Sequence, residues 1–179
     1  MIIMQRDLLG HPIQGVYSSA LCLLLVDAAS IASTSHFNNL RVAVDRFASA
    51  LTADRGFACL IRVALSYSGD IRSCQLVFGG PGALMPMLPD EMRSTPLEAA
   101  DLETACELLL EKAWGEKRGG SLEPACFLIV LADNVVDFVS PIEVTCLWVA
   151  DDCLEEKSPG FGLSLAVEEV LREMKRRII

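Results

Sequence analysis

The chain predicts an α/β fold: a three-layer sandwich with a mostly parallel central sheet covered by helices on both faces. Three observations carry this. Two continuous apolar runs, Ala20 to Val26 and Cys126 to Ala132, each stop at an acid, Asp27 and Asp133. Segments of helical spacing alternate with such runs, as in a sheet built by crossovers. Finally, 52% of the residues are hydrophobic and the mean hydropathy is +0.40, in keeping with central strands buried on both sides.

Taken in order, residues 1–16 read as a lead-in that contains His11-Pro12, with a short strand at Ile2–Met4. The first core strand runs from Tyr17 or Ala20 to Val26, followed by a small, serine-containing loop from Ala28 to Ser35. A helix is expected from Phe37 to Ala53, because Leu40, Ala43, Val44, Phe47, Ala48 and Leu51 recur at helical spacing. Gly56 is the candidate residue just past its end. Cys59 to Tyr67 reads as the second strand. The turn Ser68-Gly69-Asp70 should send Ile71 to Phe78 back beside it as one antiparallel edge strand.

The next helix has a strong start signal. Thr95 stands as N-cap, Pro96 at the first helical position and Glu98 three residues after the cap, the spacing of a capping box. Its buried stripe is Leu102, Ala105, Cys106, Leu109 and Ala113, and it should end before Gly119-Gly120. Two further parallel strands follow, Ala125 to Ala132 and Ile142 to Val149. Only Asp133 to Pro141 lies between them, too short for a usual helical crossover, so that helix should be missing or reduced to a turn. Leu163, Val167, Val170, Leu171, Met174 and Ile178 define a last helix over 163–178, and the 179 residues suit one domain.

Strands ending in Asp27 and Asp133, with Thr95 between them in sequence, would bring three oxygen ligands to the carboxyl edge of one sheet. Open α/β sheets bind ligands at that edge, and such ligands suit magnesium. Each residue also has a structural reading. Asp27 can cap its own loop by accepting backbone N–H bonds, Thr95 can simply cap a helix, and Asp133-Asn134 can form a turn.

These stretches resemble the von Willebrand factor A (VWA) domains, in particular the bacterial cytoplasmic branch found with tellurium-resistance and stress operons. The resemblance runs over roughly residues 20–135, through Leu24-Leu-Val-Asp27, the helix Phe37 to Leu51, Val77-Phe-Gly-Gly80 with Met87-Leu-Pro89, Ser94-Thr-Pro-Leu-Glu-Ala-Ala100 and Phe127-Leu-Ile-Val-Leu-Ala-Asp133. It implies a Rossmann-like fold and a metal-ion-dependent adhesion site. In that site Asp27, Thr95 and Asp133 match, while the two serine positions hold Ala29 and Ile31. Ser30, Ser33 and Ser35 fall at other offsets. The degenerate site implies either no cofactor or weakly held Mg2+. The function implied is a non-enzymatic interaction module in a multi-protein assembly. Its partner would dock at the carboxyl edge by shape and apolar area, through Ser30, Ile31, Ser33 and Asn134. The alternative is a Mg- or Mn-dependent small-ligand-binding or hydrolytic protein using Asp27 and Asp133.

Other chemistry has little support. Neither His11 nor His36 sits in a nucleophile–base signature, and no phosphate-binding glycine loop precedes a helix. The net charge of −9 and pI near 4.7 argue against nucleic acid, which rewards basic surfaces. Lys175-Arg176-Arg177 most simply complements the negative end of the last helix. No apolar run approaches the ~20 residues of a membrane helix. Arg6 and Asp7 interrupt the opening, so a cytoplasmic location is expected. The seven cysteines form no Cys-x-x-Cys pair and read as reduced core thiols, with only Cys153 exposed. The short Asp133–Pro141 connection should also bare apolar strand area beside it, so the partner is another protein or a second copy.

Overall fold

The structure, a computed structural model, describes residues 5–6, 12–13, 19–30, 34–53, 55–73, 75–84, 95–119, 123–149 and 161–178. A two-residue ribbon pairs β1 (Gln5–Arg6) with β2 (Pro12–Ile13), separate from the main sheet. The main elements are β3 (Ala20–Val26), α1 (Thr34–Ala53), the short α2 (Arg55–Ala58), β4 (Ile61–Tyr67), α3 (Ala99–Arg118), β5 (Ala125–Leu131), β6 (Val144–Val149) and α4 (Phe161–Ile178). The sheet order is β4-β3-β5-β6, with every pairing parallel. The fold is Rossmann-like, with α1 and α4 on one face and α3 on the other.

Strand side chains alternate between the faces. Cys22, Leu24 and Val26 of β3 join Phe127 and Ile129 of β5 under Leu40, Val44, Phe47 and Leu51 of α1 and Val170 and Met174 of α4. On the other face Leu21, Leu23, Leu25, Leu128 and Val130 meet Leu102, Ala105, Cys106, Leu109 and Ala113 of α3. Every residue of β3 and β5 is buried, which is why those two runs show no polar alternation in sequence.

Three expectations need correction. Ile71 to Phe78 forms no edge strand. Asp70–Arg72 is a 3-10 turn, and among the described residues the antiparallel pairing is one bridge, Val63 to Gly79. Arg72 is held toward the start of α3 by Asp101 and Glu98, which draws this segment off the ladder. Leu76 and Phe78 pack instead on the α3 face. Gly56 does not stop α1; it lies inside α2. Among the cysteines Cys59 is exposed, because it falls in the turn between α2 and β4 rather than in the strand; Cys153 lies outside the described residues. The expected strand at Ile2–Met4 lies outside them too.

The β5–β6 crossover carries no helix, as its length requires. The extended connection tucks Val136 and Phe138 into the α3-side core. No described helix is long and apolar enough to cross a membrane.

Thiol labelling should follow burial. Burial pushes the Cys106 thiol up to about 11, against a hydrogen bond with Ser140 that lowers it. Burial likewise raises Cys146 to about 11, with Cys106 adding to the shift. Iodoacetamide should therefore modify Cys59 first. At Cys106 and Cys146 the rate should climb about tenfold per pH unit toward pH 11, as thiolate forms. Peptide mass spectrometry over a pH series reads this, and equal labelling of all three at neutral pH would contradict the packing.

Candidate functional site

Because the register is in step, Val26 pairs with both Tyr67 and Leu131, so β3, β4 and β5 end together. The residues that follow them, Asp27, Ser68 and Ala132-Asp133, therefore share one edge. The segment entering α3, Thr95 to Glu98, passes over the same edge. The three oxygen residues expected from sequence are thus gathered in one region.

Asp27 is half-buried, and both its carboxylate oxygens accept hydrogen bonds. Oδ1 takes the Ala29 N–H (3.1 Å) and the Leu97 N–H (3.1 Å), and Oδ2 takes the Ser30 hydroxyl (2.7 Å). Two of these bonds close the loop locally, while the third reaches seventy residues along the chain to the segment that leads into α3. The Ser30 Oγ in turn accepts the Asp133 N–H (3.3 Å), tying the loop after β3 to the loop after β5. His36, in the first turn of α1 rather than in a loop, places Nδ1 3.1 Å from the Ser30 carbonyl oxygen.

Ser68 forms the matching link from β4. Its buried hydroxyl accepts the Ala28 N–H (2.8 Å) and donates to the Thr95 carbonyl. Thr95 thus enters the hub through its main chain. Gly69 follows at φ 81°, and a Cβ there would come within 2.9 Å of the Thr95 methyl, so both the turn and the close approach require glycine. Tyr67, beside Ser68, buries a hydroxyl that has no partner among the described residues, and burial, with the charge of Asp70 adding to it, pushes its pKa above the ordinary phenol range.

Thr95 does not cap α3. The N-cap is Glu98, and the residue three positions later is Asp101, whose Oδ2 accepts the Glu98 N–H (2.9 Å). Asp101 is fully buried. Its Oδ1 also accepts the Gly69 N–H (3.2 Å) and the Arg72 Nε (2.9 Å), so it fastens the turn after β4 to the helix start. Arg72 completes the knot with Glu98 (2.6 Å). That hydrogen bond, ahead of the charge of Asp101, holds its guanidinium above the ordinary range. The N-cap falls three residues after Thr95, and the Leu97 N–H, which a Thr95 cap would have taken, goes to Asp27 instead.

Asp133, Asn134 and Thr95 are exposed at the rim, and Ser30 is half-buried. Ile31 and Ser33 lie outside the described residues. Sequence reasoning missed Ser68, which reads as an ordinary turn residue, and Asp101. The second had a visible signal, since Glu98-x-x-Asp101 repeats the acid spacing of a capping box one turn further on. Among the described residues no group of three or more His, Cys, Asp or Glu is arranged to hold a metal ion.

No protein-family model matches the chain, and no curated protein matches it significantly. Among solved structures it is similar to proximal thread matrix protein 1 from the mussel byssus. That likeness has 12% identity and a TM-score of 0.49, over 86% of this chain and 47% of that one. The chain therefore spans about half the length of that protein, and a likeness of this depth carries no conclusion about family or function.

Removing either carboxylate should cost stability, unequally. Asp101→Ala would leave the Gly69 and Glu98 N–H groups without their buried acceptor and Arg72 with Glu98 alone, and should destabilise by about 3 kcal/mol. Asp27→Ala, at a half-buried position, should lose about 2 kcal/mol. Urea denaturation measures both, and a neutral Asp101→Ala would contradict its role as the fastening of α3.

Proposed function

We propose that this chain is a VWA-type interaction module that docks a protein partner at the carboxyl edge of its sheet without metal mediation. The observation that supports this reading is the state of Asp27. Both carboxylate oxygens are taken up by donors from its own loop and from the α3 entry. Three donors leave the carboxylate one lone-pair site, on Oδ2, for a cation, and the positions where the family carries two hydroxyl ligands are Ala29 and Ile31. A rigid edge, cross-tied between three strand ends, is well suited to present a fixed surface. The exposed rim residues Asp133 and Asn134 and the neighbouring Ile31 are the proposed contacts. The competing reading, Mg- or Mn-dependent binding or hydrolysis by Asp27 and Asp133, requires a cation to use the one lone-pair site left on Asp27 Oδ2.

Calorimetric titration separates the two. Millimolar Mg2+ or Mn2+ should give no binding heat and leave the melting temperature unchanged. A protein captured from native extract should be retained in EDTA and lost with Ile31→Asp. Saturable metal heat abolished by Asp27→Ala would favour the metal-dependent reading, and capture that survives Ile31→Asp would remove the proposed edge.

A further inference from the structure

On the α3 face, the helix expected in a parallel crossover between β5 and β6 is replaced by an extended connection. The replacement is incomplete. Phe138 and Val136 fill part of the space, Cys146 and Trp148 of β6 stay half-buried, and Val135, Val139 and Ile142 stand 70%, 88% and 97% exposed. Between the connection and α3 lies a groove of about 360 Å³, its apolar lining including Cys106, Leu110, Phe138 and the exposed Val139. Glu103 and Glu107, one turn apart on α3, and Asp137 of the connection line it, and among the described residues no basic one does. Lys117 and Arg118, further along α3, lie against the ring of Trp114, and Lys117 also pairs with Glu123.

We propose that this groove receives a basic amphipathic helix from a partner protein, laid across the position that a crossover helix would otherwise occupy. The apolar lining matches the inserted face of such a helix, whose anchors recur at i, i+3 or i+4, and i+7. The three carboxylates select lysine or arginine on its flanks. The same charges disfavour a symmetric pairing of two copies through this surface, since each would bring Glu103, Glu107 and Asp137 against their like. The groove lies along the flank of α3, apart from the Asp27 hub, and does not depend on the function proposed for that edge.

Fluorescence anisotropy with the full chain and three labelled synthetic peptides tests this. The first is a helical amphipath with leucine anchors and lysine flanks, the second its glutamate-flanked twin, and the third has the lysine composition with the leucines shuffled off one face. The first peptide should bind and the other two should not. Val139→Asp and the pair Glu103→Lys/Glu107→Lys should each weaken binding roughly tenfold or more, with circular dichroism and melting temperature unchanged, because the altered side chains are exposed. Should the charge reversal lower the melting temperature, Glu103→Gln/Glu107→Gln gives the same readout with a smaller loss. Failure of the first peptide to bind, equal binding of its acidic or shuffled counterparts, or wild-type affinity in the variants would overturn the proposal. So would a dimer in sedimentation that Val139→Asp dissolves, since the groove would then belong to a second copy.

Discussion

The in-step parallel register of β4, β3 and β5 is the constraint on which the rest of the structure depends. Because Ala20 pairs with both Ile61 and Ala125, and Val26 with both Tyr67 and Leu131, three strands begin and end on common lines. That alignment brings the residues after each strand within hydrogen-bonding distance of one another. Parallel strands cannot be joined by tight turns, so their ends must be stabilised by the loops themselves. Here Asp27, Ser30 and Ser68 do so, each linking a different pair of segments. Asp101 extends the network to the helix on the opposite side of the edge. Carboxylates at strand ends can therefore arise from the needs of a parallel sheet alone, without a ligand.

The buried parts of this architecture were legible because they obey simple periodicity. The stripes of α1 and α3 are buried as their spacing implies, and the continuous runs Ala20 to Val26 and Ala125 to Leu131 are the two central strands. The missing β5–β6 helix followed from chain length. What misled was local chemistry with two outcomes. Thr95-Pro96-x-Glu98 satisfies the capping pattern, yet tertiary contacts start the helix a turn later, where Asp101 can take N–H groups from two segments at once. Ile71 to Phe78 has the composition of a strand, but Arg72 is drawn to Asp101 and Glu98, and only Gly79 reaches the β4 edge. At the candidate site, sequence identified Asp27 and the region around it, including the reading of Asp27 as a loop cap. Ser68 was invisible because its partners, Ala28 and Thr95, are contributed by main chain from distant loops.

The two faces of the sheet are finished differently, which bears on where partners meet the molecule. The face under α1 and α4 is closed by two long helices. Among the described residues the other carries the single helix α3, flanked by Leu76 and Phe78 on the β4 side and Val136 and Phe138 on the β6 side. Extended chain covers less area than a helix, so grooves remain on both sides of α3. The groove toward β4 is lined by Lys112 as well as Glu111 and Glu116, and Glu116 already pairs with Arg62. The one toward β6 has carboxylates beside the exposed Val139, an apolar and acidic combination suited to binding.

Amide hydrogen exchange followed by NMR, comparing wild type with Asp27→Ala, measures most directly whether the Asp27 carboxylate is a brace for the edge. Protection of the Ala29 and Leu97 amides should fall sharply in the variant. The Asp133 amide should follow, because Ser30 loses the partner that orients it, while the β3 and β5 ladders stay protected. Unchanged protection at Leu97 and Ala29, or a wild-type pattern that appears only when Mg2+ is added, would contradict a carboxylate committed to the protein's own backbone.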